Sequence, residues 1–416
     1  MDFALLIPIL VTASGIYFLI KLKFFFIIHP LRTLKEFCNE IRNEKSRRSF
    51  FLALAGTLGV GNIFGVSAGI LIGGPGSLFW MLISSIFAMV IKYAETLCTC
   101  AYPENKGGMA FVIAGAFKKR GRPLSLTYAT LTVILAFFMG AAMQSGAIAD
   151  VSQSALGMNK NICTIIVVFL FIPCLFGGLS KIEKVTEILI PLTTIVYILM
   201  CLTVILINNY KLPTVFESII NSAFSLKSFG SGVGAIAVKE GFARGILSNE
   251  AGVGTSALGH STAKGRDPHI AGLFGIFEVF FDTSLLCMLT GLTILLSVPN
   301  VSQYKTPMAL VSGAFSASLG DFSRYVLTLL TFSFAYSTII CWYFYGERLT
   351  SIYFVFLRRI YPMLFITFLS LSHLISSQFL LYVVDFLLTL MSCLTISAIV
   401  KEMNSSNISI EKSRGT

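Results

Sequence analysis

The chain has 416 residues, of which 55% are hydrophobic and only 12% charged, with a mean hydropathy of +0.82 and a formal net charge of +11. Soluble domains carry roughly a quarter charged residues, so the composition excludes a soluble multidomain protein and marks an integral membrane one. The basic excess follows the connections between apolar runs, so it reads as a topology signal and needs no nucleic acid to explain it.

Apolar runs of about 20 residues match the thickness of a bilayer core. They predict an all-α protein with eleven spans, at 3–28, 50–72, 77–101, 124–150, 161–179, 185–207, 216–257, 270–297, 322–345, 350–372 and 378–400. The first, Phe3 to Ile28, is too long for a signal-peptide core and lacks a basic leader or a small-residue cleavage site, so it reads as a retained helix. Basic residues Arg32, Lys35, Arg42, Lys45, Arg47 and Arg48 mark the first connection as cytoplasmic. The run "KKRGR" (118–122), Lys181/Lys184, Lys264/Arg266, Arg348/Arg358/Arg359 and the tail then also lie inside, while the outer connections hold only Lys160, Lys211, Lys227, Lys305 and Arg324. This places the N-terminus outside and the C-terminus inside. The inner connections 29–49 and 102–123 are too short to be domains, and 31–42 fits an amphipathic helix lying on the membrane surface.

Eight of the nine cysteines, all but Cys38, lie in or beside apolar runs, and no Cys-x-x-Cys spacing occurs. They read as small buried hydrophobes. His29, His260, His269 and His373 are scattered, which argues against a metal site.

Two glycine patterns meet in the second span. Gly61, Gly65, Gly69 and Gly73 recur every four residues, a stripe that lets another helix approach closely. Gly56, Gly59 and Gly61 crowd together with Thr57 and Asn62 in "GTLGVGN" (56–62), where glycine weakens the helix and frees backbone groups. In lipid such groups must face a protein-enclosed cavity. The seventh span carries a similar stretch, "FGSGVG" (229–234). With the first helix set aside, five spans remain in each half, so the halves have opposite topology and the two glycine-rich stretches head them. Paired broken helices in inverted halves point to a secondary transporter's midplane site. A structural glycine kink is the serious rival reading, whereas a dinucleotide loop is a poor one, since neither stretch is Gly-x-Gly-x-x-Gly and neither follows a strand.

The stretches 56–95, "GFARGILSNEAGVGTSALGHSTA" (241–263), "EVFFDTSLLCMLTGLTIL" (278–295) and "FSFAYSTIICWYFYGER" (332–348) resemble the alanine or glycine:cation symporter family, and the resemblance runs nearly end to end. It implies one extra N-terminal helix with its basic loop (1–49), an inverted five-plus-five repeat (50–207 and 208–400) with broken first helices, and a cytoplasmic tail (401–416). It also implies import of a small neutral amino acid, alanine or glycine in L or D form, with sodium and no organic cofactor, through a bacterial-type inner membrane. On this resemblance Gly59, Val60 and Gly61 give backbone N–H groups to the substrate carboxylate, faced by Phe229, Gly230, Ser231 and Gly232, with Gln144 on the fourth span. Asn62 and the carbonyls of Ala55, Thr57 and Leu58 suit sodium, a hard cation that takes oxygen ligands. Ser337, Thr338 and the Ala335 carbonyl complete a second sodium site. The sequence departs from the family at "GAAMQSG" (140–146), where two family asparagines are replaced by Ala141 and Gly146.

Of the intramembrane charges, Asp282, Asp385 and Glu278 are read as structural partners of Arg244 or Lys239 in preference to a proton relay. Glu240 and Arg244 are four apart in the order that pairs along a helix. Glu250 reads as a cap or gate, and the rings of "CWYFYGER" (341–348) as a cytoplasmic interface belt. The combined expectation is a cell-membrane symporter working by alternating access. Proton coupling on the same fold is the alternative. An enzyme lacks a visible nucleophile, acid–base pair or metal cluster, and a channel lacks a continuous polar pore.

Overall fold

A computed structural model describes residues 6–102, 108–224, 233–263 and 267–405, and every regular element among them is helical. The chain starts with α1 (Leu6–Lys21) and α2 (Pro30–Glu40). Proline heads α2, where its missing N–H costs nothing. This short helix lies largely exposed where the amphipathic segment was expected, and it buries Phe37, whose ring stacks on Phe277 at 4.1 Å. The next helix, α3 (Glu44–Thr57), is capped by Asn43, whose side chain accepts from the Lys45 and Ser46 N–H groups.

After α3 the helix stops for three residues and resumes through a π-helical turn, Gly61–Gly65, into α4 (Val66–Gly73), with a bend of 44°. The following helices are α5 (Gly76–Cys100), α6 (Met109–Ala116), α7 (Gly121–Leu135), α8 (Gln144–Leu156), α9 (Lys160–Leu175) and α10 (Gly178–Ile207). A second π-helical stretch, Ala136–Met143, joins α7 to α8. Of the expected seventh span at 216–257, the described residues form α11 (Leu212–Phe224) and α12 (Val233–Asn249). Then come α13 (Pro268–Val279), a third π-helical stretch (Phe280–Cys287), α14 (Met288–Ser297), α15 (Pro307–Leu319), α16 (Phe322–Tyr353), α17 (Val355–Ser370) and α18 (Ser377–Asn404).

By length and composition six continuous helices among the described residues can cross a membrane, and the bent α3–α4 pair makes a seventh. The helices α1, α9 and α15 are apolar but shorter. In the apolar window of α5, 67% of residues are buried, against 33% in α10, so α5 is central and α10 peripheral. The outward faces of α9 and α10 carry exposed Phe169, Ile188, Leu192 and Leu206, the apolar surface a lipid environment demands.

The glycine stripe of the second span performs the packing its spacing predicts. A Cβ on Gly61 would lie 3.3 Å from the Ser248 Cα, one on Gly69 3.1 Å from Arg244, and one on Gly73 3.0 Å from Glu240 and 3.3 Å from the Ala237 Cα. Rising residue numbers on α4 thus meet falling ones on α12, so the two helices cross antiparallel at a distance only small residues permit. Both helices also pack on α5, which in turn lies along α13.

Candidate functional site at the helix breaks

At the first break the chain leaves helical geometry after Thr57, and side chains from two distant helices take the freed backbone groups. Thr338 Oγ1 donates to the Ala55 carbonyl at 2.8 Å, and Trp342 Nε1 donates to the Gly56 carbonyl at 3.2 Å. Gln144 Oε1 accepts the Val60 N–H at 3.0 Å. Gly59 sits between these groups: a Cβ there would lie 2.7 Å from Thr338 Oγ1 and 2.8 Å from Gln144 Oε1. Ala55, Gly59, Val60, Gln144 and Thr338 therefore meet in one buried place.

The other expected residues fall into place unevenly. Leu58 and Gly61 are buried in the break itself, and Gly61 opens the next helix, where N–H groups lack a partner in the preceding turn. The Thr57 hydroxyl bonds the Leu54 carbonyl of its own helix. Ser337 likewise turns back to the Ser333 and Phe334 carbonyls, so its hydroxyl is engaged within α16. Ala335 is fully buried one turn before Thr338. Phe229, Gly230, Ser231 and Gly232 lie outside the described residues.

Asn62 brings in a residue that sequence reading placed elsewhere. Its Nδ2 donates to Asp282 Oδ1 at 2.7 Å and to the Asp282 carbonyl at 2.9 Å, while its buried Oδ1 has no hydrogen-bond partner. Ser248 and Thr283 donate to Asp282 Oδ2 at 2.7 and 2.6 Å. The expected pairing of Asp282 with Arg244 or Lys239 is thus replaced by a cage of neutral donors. Arg244 instead pairs with Glu240 at 3.2 Å, as the four-residue spacing predicts, and bonds Asp385. Glu278 bonds Lys92 and His260.

All three π-helical stretches border this region. Asn62 lies in the first, Gln144 follows the second, and Asp282 lies in the third. A π-turn widens the helix by one residue per turn and commonly marks a functional site. Here each re-aims a polar side chain inward from an apolar helix.

A second interruption follows α12. Residues 250–256 leave helical geometry, with positive φ at Glu250 (+54°), Gly252 (+80°) and Gly254 (+90°), before a single turn, Ala257–His260. Gly254 has a further constraint, since a Cβ there would meet the Tyr128 hydroxyl at 2.6 Å. The break is wholly buried, and its backbone is held from outside: Tyr128 and Thr395 donate to the Val253 carbonyl, and Glu95 Oε2 accepts the Gly252 N–H at 2.9 Å. Lys92 Nζ donates to the Asn249 carbonyl at 2.9 Å. Sequence reading missed this break along with Lys92, Glu95 and His260. The tripeptide Gly-Val-Gly stands at 59–61, at 232–234 and again at 252–254, so by itself it does not set the last stretch apart from the second.

The interface belt expected at 341–348 is corrected. Trp342 and Tyr345 are fully buried against the first break and not at an interface, because Gly140 and Gly56 leave room for their rings. Farther along, a cavity of about 360 Å³ is lined by Phe64, Met143, Gly146, Asp150, Lys160 and Ser372 among others. It reaches Met143, the residue before Gln144.

A buried polar site at interrupted helices, inside a helical shell with an apolar outer face, defines a polytopic membrane transporter. The chain belongs to the sodium:alanine symporter family, whose model matches residues 1–410. It is 30% identical over 362 residues to a sodium/alanine symporter of Methanococcus maripaludis, covering 82% of this chain and 79% of that protein. An uncharacterized transporter of Haemophilus influenzae is 32% identical over 382 residues, covering 88% and 83%. A probable sodium/glutamine symporter of Bacillus subtilis is 30% identical over 360 residues, covering 82% and 73%. The fold is similar to the crystal structure of a manganese transporter from Eremococcus coleocola, with a TM-score of 0.55 at 14% identity over 89% of this chain and 90% of that one.

Proposed function

We propose that the protein imports a small neutral amino acid, alanine or glycine, together with sodium by alternating access. The observation that carries this reading is the first break: the non-helical backbone of Leu58–Val60 with the start of the next half-helix at Gly61, the unpartnered amide oxygen of Asn62 and the Thr338–Ala55 pair are enclosed together in a buried site. Backbone N–H groups at the start of a half-helix suit a carboxylate, and freed carbonyl and amide oxygens suit a hard cation. On this reading Gly59, Val60 and Gly61 bind the substrate carboxylate. Gln144 releases the Val60 N–H when substrate arrives, and residues 229–232 face the substrate. Sodium takes the Asn62 oxygen with the Ala55, Thr57 and Leu58 carbonyls, and a second sodium site is formed by the Ala335 carbonyl with the Ser337 and Thr338 hydroxyls. Asp282, behind Asn62, supplies the negative charge that balances the cation.

The architecture we infer is eleven spans: one N-terminal helix (1–49), then inverted repeats at 50–207 and 208–400, with the N-terminus outside and the tail inside the cell membrane. Its support is the order of elements. The interrupted α3–α4 and the interrupted α12 are each followed by a long helix, α5 and α13–α14, and then by three further spans.

The test is uptake of labelled alanine and glycine into proteoliposomes containing the full chain, with sodium and pH gradients imposed separately. Stimulation by an inward sodium gradient is the expected result. Stimulation by a pH gradient alone, with none by sodium, overturns the sodium assignment.

A further inference from the structure

The second break is surrounded by more buried charge than its own contacts neutralise. Three fully buried carboxylates, Glu95, Glu250 and Glu278, face Lys92 and His260. Glu278 takes both of the latter: Lys92 Nζ lies 3.3 Å from its Oε1, and His260 Nε2 lies 2.6 Å from its Oε2. Glu95 accepts the Gly252 N–H and stands 3.9 Å from Lys92. Glu250 is left. Thr255 donates to its Oε2, its Oε1 has no hydrogen-bond partner, and among the described residues no cation lies within ion-pair distance of it. The remaining titratable groups that face it bring no positive charge: Asp282 from the third π-helical stretch, Tyr345 and Cys341 from α16, and Tyr128 from α7.

With Lys92 and His260 both charged, the cluster still holds one carboxylate too many. An ionised carboxylate buried without a counter-charge is strongly disfavoured, and such a group takes up a proton in preference to staying charged. We propose that the second break carries one exchangeable proton on Glu250, a cation site separate from the Asn62 and Thr338 oxygens. Glu250 is also the non-glycine residue whose positive φ starts the break. Loss of its proton places a net charge in the joint of the half-helix, which then loosens or hydrates. The proton is taken from and returned to water, so the step balances as carboxylate plus proton to carboxylic acid. This inference rests on the transporter reading for its role, and on the charge count alone for the proton.

Infrared difference spectroscopy of the full chain in lipid vesicles, between acidic and alkaline buffer, reads the proton directly. The expected wild-type spectrum contains a carbonyl-stretch band of a protonated carboxylic acid, which is lost in Glu250→Gln and kept in Glu95→Gln. Thr255→Val, which keeps the carboxyl and removes its hydrogen-bond donor, shifts the band to higher frequency and serves if the glutamine variant does not fold. A band that survives in Glu250→Gln, a band unmoved in Thr255→Val, or no such band in the wild type overturns the proposal. In proteoliposomes with a fixed sodium gradient, alanine uptake by the wild type changes at least about threefold across the titration, and the normalised pH profile of Glu250→Gln is flat within about twofold. Superimposable profiles overturn the coupling. If the band behaves as stated while no alanine uptake responds to sodium, the proton site stands and the substrate reading fails.

Discussion

Asn62 and Asp282, 220 residues apart, hold two π-helical turns together: one amide nitrogen donates to both the side-chain and the backbone oxygen of the aspartate at 2.7 and 2.9 Å. The other half of the same amide, Oδ1, is buried with no hydrogen-bond partner. Asn62→Ala is expected to leave two buried acceptors on Asp282 without this donor, at a cost of about 1–3 kcal/mol in stability. It is also expected to raise the sodium concentration needed for half-maximal uptake. Thermal unfolding in detergent and a sodium titration of uptake measure the two effects, and an unchanged sodium dependence removes Asn62 from the ligand set.

Gly59→Ala is expected to abolish uptake while the protein still folds. The added methyl falls 2.7 Å from Thr338 Oγ1 and 2.8 Å from Gln144 Oε1, so one of these must move out of the first break. Uptake at the wild-type rate would show that neither side chain has to stay in place.

Gly73→Val tests the antiparallel crossing of α4 and α12. Its Cβ alone falls 3.0 Å from Glu240 and 3.3 Å from the Ala237 Cα, and overpacking of this kind costs about 1–3 kcal/mol. The expected result is a lowered thermal midpoint, with Gly115→Val, whose Cβ meets nothing within 4 Å, as the control.

Arg244 bridges Glu240 and Asp385 inside the protein. Removing one member of a buried pair is costlier than removing all of them, because it strands a charge. Arg244→Met is expected to lose about 3–5 kcal/mol, and the triple replacement Arg244→Met, Glu240→Gln, Asp385→Asn to recover most of it. A triple variant less stable than the single one contradicts this account.

The surface helix α2 supplies a pH test outside the membrane. Burial raises the Glu36 carboxyl, but hydrogen bonds from Arg32 and His269 and their charges outweigh it, leaving Glu36 below its ordinary value of 4.5. A carboxyl lowered in the folded state contributes stability that is fully present above its unfolded value and lost as pH falls through the folded one. The attachment of α2 to His269 at 3.2 Å is therefore expected to persist at pH 4.5 and fail only below it. Hydrogen exchange of α2 amides as a function of pH checks this, with Glu36→Gln removing the acid dependence.

Local patterns were legible in the sequence where spacing alone carries them. The four-residue glycine stripe, the Glu240–Arg244 pair and the surface helix at 31–42 follow from helical geometry, and the first break follows from glycine crowding. The second break was obscured because 229–234 is richer in glycine than 250–256, where a glutamate and two alternate glycines make the turn. Asn62 with Asp282 and Lys92 with Glu278 pair across long stretches of the chain, and no local pattern encodes such contacts. Trp342 and Tyr345 misled because an amphipathic ring suits an interface and a buried polar contact equally well.

The burial of Trp342 on the Gly56 carbonyl also gives the first break an optical reporter. The chain has two tryptophans, and the other, Trp80, lies on α5 and bonds the Ala223 carbonyl on α11. A Trp80→Phe protein therefore emits only from the wall of the first break, so occupancy by ion or amino acid can be followed without a label.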